Sequence, residues 1–259
     1  MIILKLGGSV ITDKTKFSSF KKQTMDNLAV QIKRSNERII IVHGAGSYGH
    51  ILAKKHDLNN GFEKNAQMIG FSLTHGKVQE LNSLVLDCLH DKMVPAVSLA
   101  PHSTVLLNDH NVEKISFDFF EKYLDAGFIP VTFGDVVLDT KLKFSICSGD
   151  LLMLSLAKHF KPEKVIFAMD EDGIYSSNPK HNNDAKLIRN ASITDLENLQ
   201  TQIDNHADVT GGMRGKINTI KDIASIGIDT YLLNGNKPDI LYDVLSGKET
   251  RSTLVYGDK

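Results

Sequence analysis

A lysine interrupts the apolar run Met1-Ile2-Ile3-Leu4-Lys5-Leu6, which then ends in Gly7-Gly8-Ser9. Charge is costly on a buried strand unless it is paired or put to use. Glycines let backbone N–H groups approach a ligand closely, and beside a lysine the natural guest is phosphate. A second apolar run, Ile39-Ile40-Ile41-Val42, leads into His43-Gly44-Ala45-Gly46-Ser47-Tyr48-Gly49-His50. Two such transitions suggest two anions held close together, as phosphoryl transfer requires. The span from Gly44 to Gly49 also fits the G-x-G-x-x-G dinucleotide fingerprint. That fingerprint normally opens the first strand–helix unit and has an acid ending the second strand about 20 positions on. Here the unit is the second, and Glu63 lies in a loop-like stretch, which weighs against a nicotinamide cofactor.

Three later motifs are compatible with the same chemistry. Ser148-Gly149-Asp150 precedes the helix-forming run Leu151-Leu152-Met153-Leu154. A helix start there presents N–H groups to an anion, but Ser148 could equally be a plain cap and Asp150 a favourable first-turn acid. Asp170-Glu171-Asp172-Gly173-Ile174-Tyr175 follows a strand; its acids could hold a metal, meet a ribose and base, or be solvated. Asp208-Val209-Thr210-Gly211-Gly212-Met213-Arg214-Gly215-Lys216-Ile217 fails as a P-loop, with Thr210 in place of the first glycine and Ile217 after the lysine. It reads instead as a glycine-rich approach to a helix with Lys216 in or near the first turn, or as a surface lysine after a flexible loop.

The elements that must position these residues alternate. Short β-branched runs occur at 2–6, 38–42, 94–98, 128–132, 165–168 and 230–233, separated by segments of helical spacing. Between Lys64 and His90, the side chains Ile69, Leu73, Leu81, Leu84, Val85 and Cys88 fall largely on one face; from Met213 onward, Ile217, Ile220 and Ala224 do the same. The pattern predicts an α/β fold with a mainly parallel central sheet and helices on both faces, a three-layer sandwich. Sites in such sheets gather at the carboxyl ends of strands, where both early glycine turns lie. A hairpin turning near Asp139-Thr140 breaks the rhythm and leads into Ser148.

Composition narrows the class further. The chain has 259 residues, 41% of them hydrophobic and 24% charged, which suits a single domain. A division near residue 160 is expected, with the early elements, about 1–160, serving one ligand and the late elements, about 161–259, serving another. A formal net charge of -1 argues against nucleic-acid and membrane partners. Cys88 and Cys147 make no disulfide framework and read as buried thiols in a reduced, cytoplasmic setting.

Taken together, Lys5-x-Gly7-Gly8-Ser9, Gly44-Ala45-Gly46, Ser148-Gly149-Asp150, Asp170-x-Asp172-Gly173-x-Tyr175 and Gly211-Gly212-Met213-x-x-Lys216 resemble the amino acid kinase superfamily. Within it the chain most closely resembles the isopentenyl phosphate kinase family. The marks are Gly7 through Lys14, His43 through His50, Asp125 through Val131, Gly134-Asp135-Val136 and Asp208 through Gly212. Ala45 stands where that family often has glycine, and Leu151 where a second acid is common. The resemblance implies ATP-dependent phosphorylation of isopentenyl phosphate, with Mg²⁺ accompanying ATP and a homodimer as the default assembly.

It also implies roles. Lys5, Lys14, His50, Asp150 and Lys216 are the expected catalytic set. Lys5, Gly7, Gly8, Ser9, Gly46, Asp170, Asp172, Gly173, Tyr175, Gly212 and Lys216 are expected around ATP. Gly44, Ala45, Gly46, His50, Ser148 and Gly149 are expected around the acceptor. No residue is assigned as a direct metal ligand. An apolar tail needs a slot, for which Met68, Phe71, Leu73, Val78, Val137, Phe144 and Ile146 are candidates. Two other readings stand beside this one: a sibling kinase acting on another small acid or phosphonate, and a nucleotide-binding regulator without catalysis.

Overall fold

The computed structural model describes residues 1–177, 179, 182, 184–204 and 211–258, with backbone alone at 199–204 and 211–214. The strands are β1 (Ile2–Leu6), β2 (Ile39–His43), β3 (Ala96–Ser98), β4 (Val105–Asn108), β5 (Asn111–Ile115), β6 (Ile129–Phe133) and β7 (Asp135–Asp139). They continue as β8 (Lys143–Cys147), β9 (Lys164–Met169), β10 (Ile174–Tyr175), β11 (Leu187–Ile188), β12 (Asn190–Ala191), β13 (Asp229–Asn234) and β14 (Ser252–Val255). The helices are α1 (Gly8–Ile11), α2 (Lys22–Ser35), α3 (Gly46–Lys55), α4 (Ala66–His90) and α5 (Pro101–Thr104). Then come α6 (Phe117–Asp125), α7 (Gly149–Phe160), α8 (Ile193–Asp204), α9 (Gly211–Ala224) and α10 (Ile240–Leu245).

Eight strands form the central sheet in the order β12-β14-β13-β9-β1-β2-β6-β3. Its pairings are parallel except β13 with β14. The expected runs are realised with ends displaced by a residue or two; for example, 38–42 becomes Ile39–His43. β1 pairs with β2 on one side and β9 on the other, so the sheet continues across the division expected near residue 160.

Period-two alternation sorts the side chains of β1. Ile2, Leu4 and Leu6 pack with Met25, Leu28 and Ile32 of α2 and with Leu81 and Val85 of α4. Ile3 packs on the opposite face, with Leu152, Met153 and Leu156 of α7 and with Ile217 and Ile220 of α9. Lys5 shares the parity of Ile3, so its side chain belongs on the α7 and α9 face.

The hairpin β7–β8 forms as expected but belongs to a separate four-stranded sheet, β5-β4-β7-β8. Asp139 holds its turn by accepting backbone N–H bonds from Asp109, His110, Lys141 and Leu142 and a hydroxyl bond from Ser145.

The single-face reading of α4 needs correction. Leu81, Val85 and Cys88 are buried, whereas Ile69 and Leu73 are exposed. The first half of α4 buries Gly70, Thr74 and Val78 instead. Gly70 sits against the His56 ring so closely that a Cβ would collide with it, and Thr74 Oγ1 donates to the Gly70 carbonyl at 2.8 Å. Close approach selected small residues there, so apolar spacing pointed to the wrong face.

Candidate active site

The carboxyl ends of four neighbouring parallel strands, β13, β9, β1 and β2, each open into a turn that carries an expected site residue or a neighbour of one. β1 runs into Gly7-Gly8-Ser9 and β2 into Gly44-Ala45-Gly46. The two turns pack on each other: a Cβ on Gly8 would lie 2.8 Å from Gly46 N and Cα, and one on Gly44 would lie 2.7 Å from Gly8 N. Gly46 has φ +51°, and a Cβ there would collide with Thr12. Only glycine permits this close approach.

Lys5 is buried, at 7% exposure, and its ammonium donates to Asp150 Oδ1 at 2.5 Å. Asp150 is in place because Ser148 caps α7, its hydroxyl accepting the Leu151 N–H at 3.1 Å. Both readings of this motif are therefore compatible: Ser148 is a cap, and the cap delivers Asp150 to the lysine. Gly149 leaves room for the lysine stem, since a Cβ there would stand 3.3 Å from Lys5 Cε.

The other cations gather on the same side. Lys14 Nζ lies 4.0 Å from Asp170 Oδ2, and Ser9 Oγ donates to Asp170 Oδ1 at 3.0 Å. Lys216 lies in the second turn of α9 rather than the first. Burial pushes its pKa down, helped by the positive charge of Lys5 and opposed by Asp150 and Asp170. Desolvation by its surroundings, and then the positive charges of Lys14 and Lys5, hold the His50 pKa below the ordinary histidine value. The fold thus brings Lys5, Lys14, His50, Asp150 and Lys216 into one electrostatic neighbourhood. Asp208, Val209 and Thr210, which the glycine-rich approach to Lys216 includes, lie outside the described residues; Gly212 lies in the backbone of α9.

Asp172, at the turn after β9, is held by four side chains. Its carboxylate accepts from Asn234 Nδ2 at 3.0 Å, Lys237 Nζ at 2.7 Å, Arg251 Nε at 2.5 Å and Tyr175 OH at 3.3 Å. Burial opposes ionisation, but these donors outweigh it and hold the pKa at about 2. Gly173 packs against Thr253, whose hydroxyl accepts the Ile174 N–H at 2.8 Å. Asp172 and Gly173 therefore build the strand end that presents Lys237 and Arg251.

Three contributors escaped sequence reasoning. Thr12 Oγ1 donates to the Gly8 carbonyl at 2.6 Å and accepts the Ser47 N–H at 3.0 Å, pinning the two glycine turns together. Lys237 and Arg251 are the others. For Lys237 a signal existed, because Leu233-Asn234-Gly235 is a further strand-to-glycine transition. Beneath the second turn, buried His43 stacks on Phe133 and meets Asn82 Oδ1 at 3.2 Å; burial lowers its pKa to about 4, so it is neutral.

Of the expected tail-slot residues, Phe71, Phe144 and Ile146 come together with Phe62, Ala53, Leu58 and Val136. Val137 lies instead in the main core, Val78 is fully buried, and Met68 and Leu73 are exposed. The cluster adjoins α3, which carries both Ala53 and His50.

Comparison with known proteins agrees with this geometry. The model of the amino acid kinase family matches residues 1–234. The chain is 38% identical to the isopentenyl phosphate kinase of Methanothermobacter thermautotrophicus, covering 99% of both chains. It is 34% identical to that of Thermoplasma acidophilum, covering 96% of this chain and 97% of the relative. A solved isopentenyl phosphate kinase superposes with a TM-score of 0.86 at 34% identity, over 98% of this chain and 99% of the other. Paired glycine turns, a capped acid on a buried lysine and near-full-length similarity converge: the chain belongs to the amino acid kinase family, among its isopentenyl phosphate kinases.

Proposed function

We propose that this protein transfers the γ-phosphoryl group of ATP to isopentenyl phosphate, giving isopentenyl diphosphate and ADP. The observation that carries this reading is the convergence of Lys5, Lys14, Lys216 and His50 on two glycine turns packed against each other.

The chemistry follows from charge. A phosphomonoester has a second pKa of about 6, so its attacking oxygen is already anionic near neutral pH and needs no general base. The barrier is the approach of two polyanions through a loose transition state, and fixed cations and backbone donors lower it. In this reading Lys5 and Lys216 hold the β- and γ-phosphates, Lys14 approaches from the acceptor side, and Asp150 orients Lys5. His50 donates to the acceptor phosphate, while amides of Ala45, Gly46 and Gly149 complete its cradle. Gly7, Gly8, Ser9, Gly46, Asp170, Asp172, Gly173, Tyr175 and Gly212 lie around ATP, with Asp172 also holding Lys237 and Arg251.

A metal–nucleotide complex fits the donor set, because the mutual repulsion seen at Lys216 is relieved by phosphate and the glycine cradles leave no side chain in its way. Mg²⁺ bound to ATP would supply further charge neutralisation. The apolar wall of Phe71, Phe144 and Ile146 beside α3 suits a prenyl tail. A cytoplasmic homodimer belongs to the same proposal; among the described residues no helix is long and apolar enough to cross a membrane.

The test is ADP release from MgATP with isopentenyl phosphate, isopentenol, glutamate, UMP and fosfomycin as acceptors. Turnover with isopentenyl phosphate alone is expected. Turnover with another acceptor instead would move the chain to a sibling activity, and silence on all would remove the kinase reading.

A further inference from the structure

Three side chains from three separate elements converge outside the lysine cluster. His75 is on α4, His102 on α5, and Asp135 opens β7; one nitrogen or oxygen atom from each lies within 4.8 Å of the other two. His75 Nδ1 stands 2.8 Å from Asp135 Oδ2, and the two imidazole rings have centroids 4.2 Å apart. Asp135 is a buried carboxylate whose Oδ1 accepts the Val136 N–H at 2.8 Å. Its other oxygen faces the histidines.

A hydrogen bond from His75 satisfies Asp135 but leaves the second imidazole unexplained. Two imidazole rings this close repel if both are protonated. A neutral imidazole is a metal ligand rather than a counter-ion. Donors bound tetrahedrally to zinc stand about 3.4 Å apart, given metal–ligand bonds of about 2.0–2.2 Å. The observed separations, from 2.8 Å for His75 Nδ1 to Asp135 Oδ2 up to an outer limit of 4.8 Å, bracket that spacing. Two nitrogens and one carboxylate oxygen, with a position open to solvent beside exposed His102, suit zinc and its transition-metal neighbours. Magnesium and calcium prefer oxygen alone. The Val136 N–H already orients the carboxylate in the manner of an outer-shell partner.

We propose that His75, His102 and Asp135 form a zinc-type transition-metal site that ties α4, α5 and β7 together. Its place in the fold gives it leverage on the acceptor turns. Gly134, next to Asp135, donates its N–H to the His43 carbonyl at 3.0 Å, and a Cβ on it would lie 3.2 Å from Gly149 N. A metal on Asp135 would thus brace the strand beneath both turns, without touching the lysines.

The experiment uses the full chain, freed of metal by chelation and titrated with zinc chloride by calorimetry, with metal analysis after gel filtration. Cobalt(II) serves as the spectroscopic probe. One zinc per chain is expected, together with the visible absorption of tetrahedral cobalt. His102→Ala changes an exposed side chain and should keep the fold, which a thermal melt checks; His75→Ala is the second variant. Each should weaken zinc binding by about tenfold or more, the lower end of what even an outer-shell partner is worth. Failure to bind zinc stoichiometrically at micromolar concentration would overturn the site. Unchanged affinity in a folded His102→Ala protein would do the same, placing the metal elsewhere on the chain.

Discussion

Replacing Asp150 with asparagine isolates the electrostatic logic of the site. Lys5 is 7% exposed, and Asp150 accepts from its ammonium at 2.5 Å. Removing one partner of a buried ion pair costs about 3–5 kcal/mol, because the remaining charge is left uncompensated. The Asp150 side chain is 26% exposed, and asparagine keeps a carbonyl acceptor, so the expected loss is nearer 2 kcal/mol. A chain of this size loses roughly 2–4 °C per kcal/mol, so the unliganded variant should melt about 4–8 °C below the parent. With saturating MgATP the phosphates become the partner of Lys5, and most of that gap should close. Thermal unfolding with and without nucleotide reads both quantities. Equal melting temperatures without nucleotide, or a gap that MgATP leaves untouched, would refute the assignment of Lys5 to the phosphates.

The same reasoning extends to other positions. Lys216→Ala should lower kcat by about 10²–10³, the loss typical of removing one preorganised donor to developing charge; steady-state kinetics checks it. His50→Ala should raise the acceptor KM and lower kcat, whereas His50→Gln, which keeps a neutral donor, should retain part of both; unchanged kinetics in His50→Ala would dismiss the contact. Thr12→Val is nearly isosteric but strands the Ser47 N–H, so a stability loss of about 1–3 kcal/mol is expected by urea unfolding, with Thr12→Ser close to the parent. Asp172 has a folded pKa of about 2, below its reference value of 3.8. A depressed carboxylate pKa contributes stability above the unfolded value and loses it as pH falls through the folded one, here between about pH 4 and pH 2, and roughly 2 kcal/mol is at stake. The stability difference between parent and Asp172→Asn should therefore shrink across that window, and a constant difference would contradict it.

Much of this protein was determined by local sequence. Continuous Ile, Val and Leu runs can be buried on both faces only in a parallel sheet, and that pattern alone placed β1, β2, β9 and β13 to within a residue or two. The lysine in β1 and the glycines after β1 and β2 stood out because each breaks a local rule, charge in a buried strand and backbone without side chain. The Ser148 cap was legible for the same reason: a helix start satisfies its own N–H groups within a few residues.

What escaped depends on contacts between distant segments. No local rule says that Thr12 will meet Ser47, that Asp172 will gather Lys237 and Arg251, or that His75, His102 and Asp135 will share one corner. The first half of α4 misled because its buried face was set by how closely Gly70 could approach His56, and an apolar count registers burial of side chains but not proximity of backbones. Local chemistry named the strands and the residues fit to meet phosphate. Only tertiary packing decided which of them share a charge, because electrostatic and steric coupling depends on distance in space rather than along the chain.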